Sequence, residues 1–588
     1  MDKIKKQIKQ LESTDKLAAA FAYFIADHAK SNADTAALSA ALLSMELTNK
    51  QICLDLTNSE AALAKIAQAL PDIEFPEAMK KYESWEKAML DSQTASLPNG
   101  EAPIIIEHGK MYLRRYYNYE KTTAENLKKA ALANLPCDGR EKISEYLNIF
   151  FPSDDESAQK TAAETALTNR LTIISGGPGT GKTTTAAKIL FLFLLSEPNL
   201  SIALTAPTGK AAMRMMEAVT SARFFLEETV IKAKGSINDE EKKAIETMAS
   251  LEGSTMHRLL GTIPASPYFR HNSENPLNYG LVVIDEASMI DIALMAKFLD
   301  ALPPSASCII LGDKDQLSSV EAGAIMFDIC ESANKHGALE KNVILLTKSW
   351  RFAQYPGIEA LSKAVNTGGD VKNILDNIKP KDGVELIAND NHSNIAPLLI
   401  KEFGAYINTA GIKEALNELN RFRILAPLRE GRLGVNALNL LAEEILERAG
   451  LIKRNGDMYV NRPVMITKND YQLELFNGDT GLVRRNENGE LRVFFQNAHG
   501  GIRSFAPSLL PEHETVFAMT IHKSQGSEFD AILLALPDKD SELLTKEILY
   551  TGITRARKKV LLLCKNEILQ AASERNIRRA SGLVDALL

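Results

Sequence analysis

The spacing of apolar positions changes character twice along the chain. Over the first hundred residues Leu17, Phe21, Phe24 and Ile25 recur at helical intervals, and Ala36 to Met45 is rich in Ala and Leu, which predicts helices. Leu97-Pro98-Asn99-Gly100 breaks that pattern. Ile104-Ile105-Ile106 then alternates into Met111-Tyr112-Leu113 across His108-Gly109, the signature of a hairpin. Arg114, Arg115, Tyr116, Tyr117 and Tyr119 follow. This basic and aromatic mix suits base stacking, and equally a strand edge packed on a neighbouring domain.

From about residue 155 short apolar runs alternate with helical stretches. Leu171–Ser175, Ile202–Thr205, Leu281–Ile284 and Cys308–Leu311 read as buried parallel strands of an α/β sheet. The charged segment Glu227 to Glu252 predicts a solvated helix. A second α/β stretch is expected from near Val343 and includes Ile424-Leu425-Ala426-Pro427, Ile532–Leu536 and Val560–Leu563. Within it, the Gly- and Asn-rich section from Asn455 to Gly501 predicts short antiparallel strands.

The length of 588 residues predicts three to five domains. Lys and Arg total 68 against 75 Asp and Glu, a net charge of −7, so any nucleic-acid contact must come from a local basic groove rather than bulk charge. The cysteines Cys53, Cys137, Cys308, Cys330 and Cys564 are too scattered for a zinc ribbon or iron–sulfur spacing and suit a reducing compartment. The charged start and the absence of a long apolar run predict a soluble cytoplasmic protein with no membrane association.

Gly176-Gly177-Pro178-Gly179-Thr180-Gly181-Lys182-Thr183 fits the phosphate-binding G-x-x-x-x-G-K-[ST] pattern, with a strand before it and a helix from Thr184 after it. Backbone N–H groups of such a loop converge on phosphate oxygens, and the helix N-terminus adds partial positive charge. Lys182 would reach the β and γ phosphates and Thr183 would ligate Mg²⁺. Val282-Val283-Ile284-Asp285-Glu286 ends a strand in two acids, which places Asp285 in the Mg²⁺ shell and Glu286 as general base for the attacking water. Gln316, in Gly312-Asp313-Lys314-Asp315-Gln316, is positioned to sense the γ-phosphate. Arg351 and Arg555 are candidates for the positive charge that phosphoryl transfer requires; surface ion pairs are the competing reading.

Taken in order, these segments resemble a superfamily 1 helicase and, more narrowly, the RecD family, the alpha subunit of exodeoxyribonuclease V or RecBCD. The resemblance rests also on Ala206-Pro207-Thr208-Gly209-Lys210-Ala211-Ala212, on Ser254-Thr255-Met256-His257-Arg258-Leu259-Leu260-Gly261 and on the Arg270-His271 to Asn275-Pro276-Leu277 approach to Asp285. It continues through Leu428-Arg429-Glu430-Gly431 with Gly434-Val435-Asn436, and Asn469-Asp470-Tyr471 with Asn477-Gly478-Asp479. Met519-Thr520-Ile521-His522-Lys523-Ser524-Gln525-Gly526-Ser527-Glu528-Phe529 and Tyr550-Thr551-Gly552-Ile553-Thr554-Arg555-Ala556 complete it. Gln51-Ile52-Cys53-Leu54-Asp55-Leu56 resembles a stretch of the family's N-terminal domain, which packs on the gamma subunit.

The resemblance implies tandem RecA-like motor domains that sandwich ATP. It implies a helical N-terminal docking domain over 1–115, a first motor domain over 116–345 and a second over 346–588, with a small SH3-like β insertion at 455–510. Gln159 would read adenine beside the loop Gly176 to Thr184. Thr208, His257, Asn436, Thr520, His522 and Ser524 would contact single-stranded DNA, mostly at phosphates. His257 and His522 read also as buried, hydrogen-bonded histidines organising their loops. The family implies 5′→3′ unwinding at DNA duplex ends within a heterotrimer with RecB and RecC, where nuclease activity belongs to a partner. A stand-alone helicase of the same family, or a DNA-binding structural subunit without turnover, are the competing expectations.

Overall fold

The computed structural model describes residues 2–70, 73–135, 140–387, 395–470, 472–497, 500–577 and 579–588. Cys137 and Tyr471 lie outside them. Among the described residues no helix is long and apolar enough to cross a membrane. The four described cysteines are buried and free.

The N-terminal region is not wholly helical. Its helices, including Lys16–His28 and Ala33–Thr48, pack on a four-stranded sheet of order β1-β4-β3-β2. The strands are β1 (Leu54–Asp55), β2 (Ala95–Ser96), β3 (Ile104–Glu107) and β4 (Lys110–Leu113). β3 and β4 form the expected hairpin, with Ile105 opposite Tyr112. Arg114 to Tyr119 form no strand edge; they open the helix Arg114–Ala131. Tyr117, Glu120, Ala124 and Leu127 recur on its buried face, a 3.6-residue period that the preceding strand alternation obscures.

The first large sheet is fully parallel, in the order β10-β5-β9-β8-β6-β7. It comprises β5 (Leu171–Gly176), β6 (Ile202–Ala206), β7 (Gly253–Thr255), β8 (Leu281–Ile284), β9 (Ser307–Gly312) and β10 (Val343–Leu346). Every residue of β5, β8 and β9 is buried, because helices cover both faces. Val343 does not begin the second α/β stretch: β10 closes the first sheet by pairing Val343 with Ile173. The charged segment at 227–252 holds parts of two helices, Gly209–Lys234 and Asp239–Ala249. The first stops at Gly235, and a reciprocal Asn238–Glu241 capping box starts the second.

The second large sheet is also parallel, in the order β11-β20-β19-β12-β18. Its first strands are β11 (Val384–Leu386) and β12 (Phe422–Ala426). An antiparallel sheet of order β16-β15-β14-β13-β17 interrupts it. That insertion comprises β13 (Pro463–Ile466), β14 (Thr480–Arg485), β15 (Leu491–Gln496), β16 (Ile502–Phe505) and β17 (His513–Thr515). Its last strand lies beyond residue 510, paired with β13 through Val464 and Thr515. The chain then returns through β18 (Ala518–Thr520), β19 (Phe529–Ala535) and β20 (Ala556–Leu563).

After β20 and the helix Asn566–Glu574, the chain crosses back onto the first lobe. Arg579 donates to the carbonyls of Ser319 (2.9 Å), Glu321 (3.2 Å) and Gly323. Ile52 N–H donates to Ala580 at 3.0 Å, and buried Glu120 accepts from Ser581 Oγ and Gly582 N–H at 3.0 Å each. Leu583 and Leu587 join the same core as Ile52, Ile105 and Ile310. The tail therefore pins three parts of the chain together. Arg579→Ala removes the cation from this nest of carbonyls. We expect amide hydrogen exchange over 579–588 to accelerate by roughly tenfold or more, since about 1–3 kcal/mol of charged hydrogen bonding is lost. Protection in β19 and β20 should be unchanged.

Candidate nucleotide and nucleic-acid site

β5 delivers Gly176 to the carboxyl edge of the first sheet, and the helix Lys182–Ser196 begins six residues later. Gly179 and Gly181 have φ of +76° and +88°, left-handed conformations that turn the loop around. No side chain caps the helix at Gly181, so its first N–H groups remain available to an anion. Lys182 Nζ donates to the carbonyls of Gly176 (2.5 Å) and Gly177 (3.2 Å), holding the ammonium over the loop. Thr183 is half-buried in the first helical turn and Thr184 is exposed. Thr180 Oγ1 closes the loop onto the Gly177 carbonyl at 2.8 Å.

Gln159 is buried beside this loop and donates to the Thr180 carbonyl at 3.2 Å. Its Oε1 is buried without a partner, as are Gln316 Oε1 and Arg351 Nη1. Orphaned polar atoms in a native interior call for an explanation. Three around one phosphate-type loop fit a polar ligand held there.

Asp285 follows β8, and its backbone N–H donates to Thr205 at 2.9 Å. Burial first and the neighbouring Glu286 carboxylate second raise its carboxyl to about 6, against the opposing charge of Lys182. Glu286 is held in a left-handed backbone at φ +53°, its N–H donating to Asp285 Oδ1 at 2.8 Å. A non-glycine residue in that region stores strain and is typical of functional turns. Gln316 donates to Asp313 at 2.9 Å, and Tyr550 of the second lobe donates to the same carboxylate oxygen at 3.1 Å.

The second lobe approaches the loop directly. Trp350 N–H donates to Gly179 at 2.9 Å and Ser349 Oγ to Pro178 at 3.1 Å. A side chain on Gly179 would collide with Arg351 Cβ, and one on Gly177 with the Tyr550 hydroxyl. Arg351 itself is ion-paired to Glu528, whose other oxygen accepts from Arg557 at 3.0 Å. Burial works against ionisation of Glu528, yet Arg351, Arg557 and Arg214 together hold its carboxyl down to about 2. Arg555 is buried, donating to the carbonyls of Thr551 (3.1 Å) and Ser527 (3.2 Å) of its own lobe. Glu528, Arg214 and Tyr550 were not singled out from the sequence. Only the fold brings residues so far apart together; a cluster of charges in the Ser527-Glu528-Phe529 and Arg555-Ala556-Arg557 segments was the available signal.

Of the six residues expected to touch DNA, five are exposed or half-buried and Ser524 is buried. Thr208 caps the helix Gly209–Lys234 by accepting from Ala211 N–H at 3.2 Å, at the carboxyl end of β6. His257 is exposed after β7 and meets Phe269 edge-on at 5.6 Å, so it is not a buried histidine. Asn436 is exposed, with its amide on Glu430 at 2.7 Å. Thr520 Oγ1 accepts from Lys523 N–H at 3.2 Å. His522 is half-buried, and burial with nearby Lys50 and Arg579 keeps its imidazole below the ordinary value. Ser524 is fully buried and donates to Ile521 at 2.6 Å, which makes it a brace of the turn in this conformation.

Glu528→Gln should free Arg351 and lower the ATPase turnover about tenfold or more, since small misplacements of a charged group near transferring phosphate are costly. Nucleotide affinity should change little. The carboxyl is depressed in the fold, so its stabilising contribution is present above its ordinary value of 4.5 and is lost as pH falls towards about 2. The urea midpoints of wild type and variant should thus differ at pH 7 and converge as the medium is acidified below pH 4.5.

The domain family described as RecBCD enzyme subunit RecD, N-terminal domain, matches residues 10–112. An AAA domain matches 159–322 and a UvrD-like helicase C-terminal domain matches 515–563. The chain is 34% identical to RecBCD enzyme subunit RecD of Mycolicibacterium smegmatis over 93% of its own length and 92% of that protein. It is 32% identical to the RecD subunit of Haemophilus influenzae, over 95% and 94%. The ATP-dependent RecD2 DNA helicase of Deinococcus radiodurans is 30% identical over 76% of this chain and 54% of that protein. With such similarity sustained over nearly its whole length, the chain belongs to the RecD family.

Proposed function

We propose that this protein is the ATP-driven DNA motor of a RecBCD-type helicase–nuclease, a helicase that moves 5′→3′ along single-stranded DNA in double-strand break repair. The observation that carries the reading is the close approach of the Arg351 stem to Gly179 and of the Tyr550 hydroxyl to Gly177, which brings residues of one lobe against the phosphate loop of the other. Residues 116–346, with the tail 579–588 packed on them, act as the first lobe, 347–577 as the second, and 1–115 as the docking domain.

ATP binds between the lobes. Lys182 leaves its loop carbonyls for the β and γ phosphates, and Gln159 uses its free Oε1 on the adenine. Thr183 and Asp285 would hold Mg²⁺, which neutralises charge on the transferring phosphoryl group when bound. Glu286 takes the proton of the attacking water, while Gln316 senses the γ-phosphate. Arg351 and Arg555 stabilise the charge that develops there. Loss of that phosphate removes the anion the arginines share and lets the lobes part. Thr208 and His257 on one lobe, and Asn436, Thr520 and His522 on the other, then pass a DNA backbone between them. Ser524 supports the last of these turns.

The full-length resemblance to RecD subunits favours assembly with RecB- and RecC-type partners over a stand-alone helicase. Affinity capture from cell extract tests this: co-purification of two partner chains is expected, and full processive unwinding by the isolated chain would refute it. Lys182→Gln should abolish DNA-stimulated ATP hydrolysis with the thermal unfolding profile intact, checked by phosphate release. Duplexes bearing a 5′ single-stranded tail should be unwound and those with only a 3′ tail should not; the reverse preference would overturn the polarity.

A further inference from the structure

Arg115, Tyr116 and Tyr119, in the first turns of the helix Arg114–Ala131, have no part in the ATP chemistry. Arg115 and Tyr116 line a cleft of about 230 Å³ on the first lobe, whose walls also include Phe269, His257 and Lys297, with Tyr119 behind Arg115 and Lys297. We propose that this cleft receives an unpaired nucleobase of the bound DNA strand. The proposal rests on the DNA-motor reading and adds a base subsite to it.

The walls have the chemistry of a stacking platform. Lys297 Nζ sits 5.5 Å from the ring centroids of both Tyr119 and Phe269, fixed there by a 2.7 Å bond to the Pro267 carbonyl. Arg115 lies 5.5 Å over Tyr119 and donates to its hydroxyl at 2.8 Å. Flat rings backed by held cations favour a π-system entering beside them. Asp291 and Glu321 line the same cleft. Carboxylates repel a phosphate, but they accept hydrogen bonds from exocyclic amines. The cleft therefore suits a base bearing an amino group, cytosine, adenine or guanine, more than thymine.

The position suits a strand already held by its backbone. β6 and β7 are adjacent and parallel, and their carboxyl ends lead to Thr208 and to His257. A strand crossing those ends reaches the cleft at His257, which is on its wall. The imidazole can face the phosphate while the attached base turns inward.

The test uses the full-length protein and fluorescently labelled oligo(dC) and oligo(dT). Phe269→Leu retains apolar volume and removes the ring; it should weaken oligo(dC) binding roughly tenfold, the scale of one lost base stack, and leave DNA-free ATP hydrolysis unchanged. Wild type should prefer oligo(dC), and Glu321→Gln should narrow that preference. Photo-cross-linking of 5-iodocytosine DNA should map to Tyr116, His257 or Phe269. Unchanged affinity in Phe269→Leu with cross-links mapping elsewhere overturns the subsite. So does a Phe269→Leu protein that keeps its DNA affinity but loses a partner subunit, which would make the cleft a protein-docking surface. Wild-type protein that binds no single-stranded DNA would overturn the motor reading as well; DNA-stimulated ATPase without these cross-links overturns the subsite alone.

Discussion

Excess positive charge at the meeting of the two lobes is the constraint on which the rest of the structure depends. Arg351 and Arg557 contact Glu528, and Arg214 and Arg555 are their electrostatic neighbours. Glu528 serves three guanidinium groups, those of Arg351, Arg557 and Arg214, and Arg351 Nη1 remains buried without a hydrogen-bond partner. Three cations sharing one carboxylate leave net positive charge at the junction, which favours an anion bound beside it. A polyphosphate on the adjacent loop supplies what is missing. Its cleavage takes part of that charge away, which gives the lobes a reason to separate that no apolar contact would provide.

The same junction is joined to the His522–Ser524 turn through short links. Leu317, directly after Gln316, has its N–H on Thr551 Oγ1 at 2.9 Å and its carbonyl on Gln525 Nε2 at 2.8 Å. Gln525 follows the His522–Ser524 turn, and Thr551 lies one residue from Tyr550, which shares Asp313 with Gln316. The loop that carries Gln316 in one lobe is thus bonded to the segment that follows the His522–Ser524 turn in the other. Rigid short bonds of this kind convert a local change at phosphate into lobe movement, because packed interfaces switch between arrangements rather than deform smoothly.

What could be read in the sequence was whatever is contiguous. The loop Gly176–Thr183, the strands buried on both faces and the hairpin at 104–113 each carry their signal within a few residues. Val343–Leu346 misled because an apolar run does not say which sheet it joins; only its pairing with Ile173 does. The helix at Arg114 was hidden by the strand alternation running into it. Glu528 escaped notice because its role depends on Arg351, 177 residues away. The C-terminal tail was invisible for a different reason. Arg579 binds backbone carbonyls, and any sequence supplies those.

That tail bears on how a docking domain could influence a motor. Gly323 N–H donates to the Lys50 carbonyl at 3.2 Å, while Arg579 binds the carbonyls of Ser319, Glu321 and Gly323. Gln51 Oε1 accepts from Ala580 N–H, and the Ala580 carbonyl accepts from Ile52 N–H at 3.0 Å. Residues 50–52 of the N-terminal region, 319–323 of the sensing loop and 579–580 of the tail therefore share one hydrogen-bonded knot. Each strand of the knot satisfies another's backbone, so displacing one leaves buried polar groups unpaired in the other two. A displacement of the N-terminal region must therefore either carry residues 319–323 along or break those bonds.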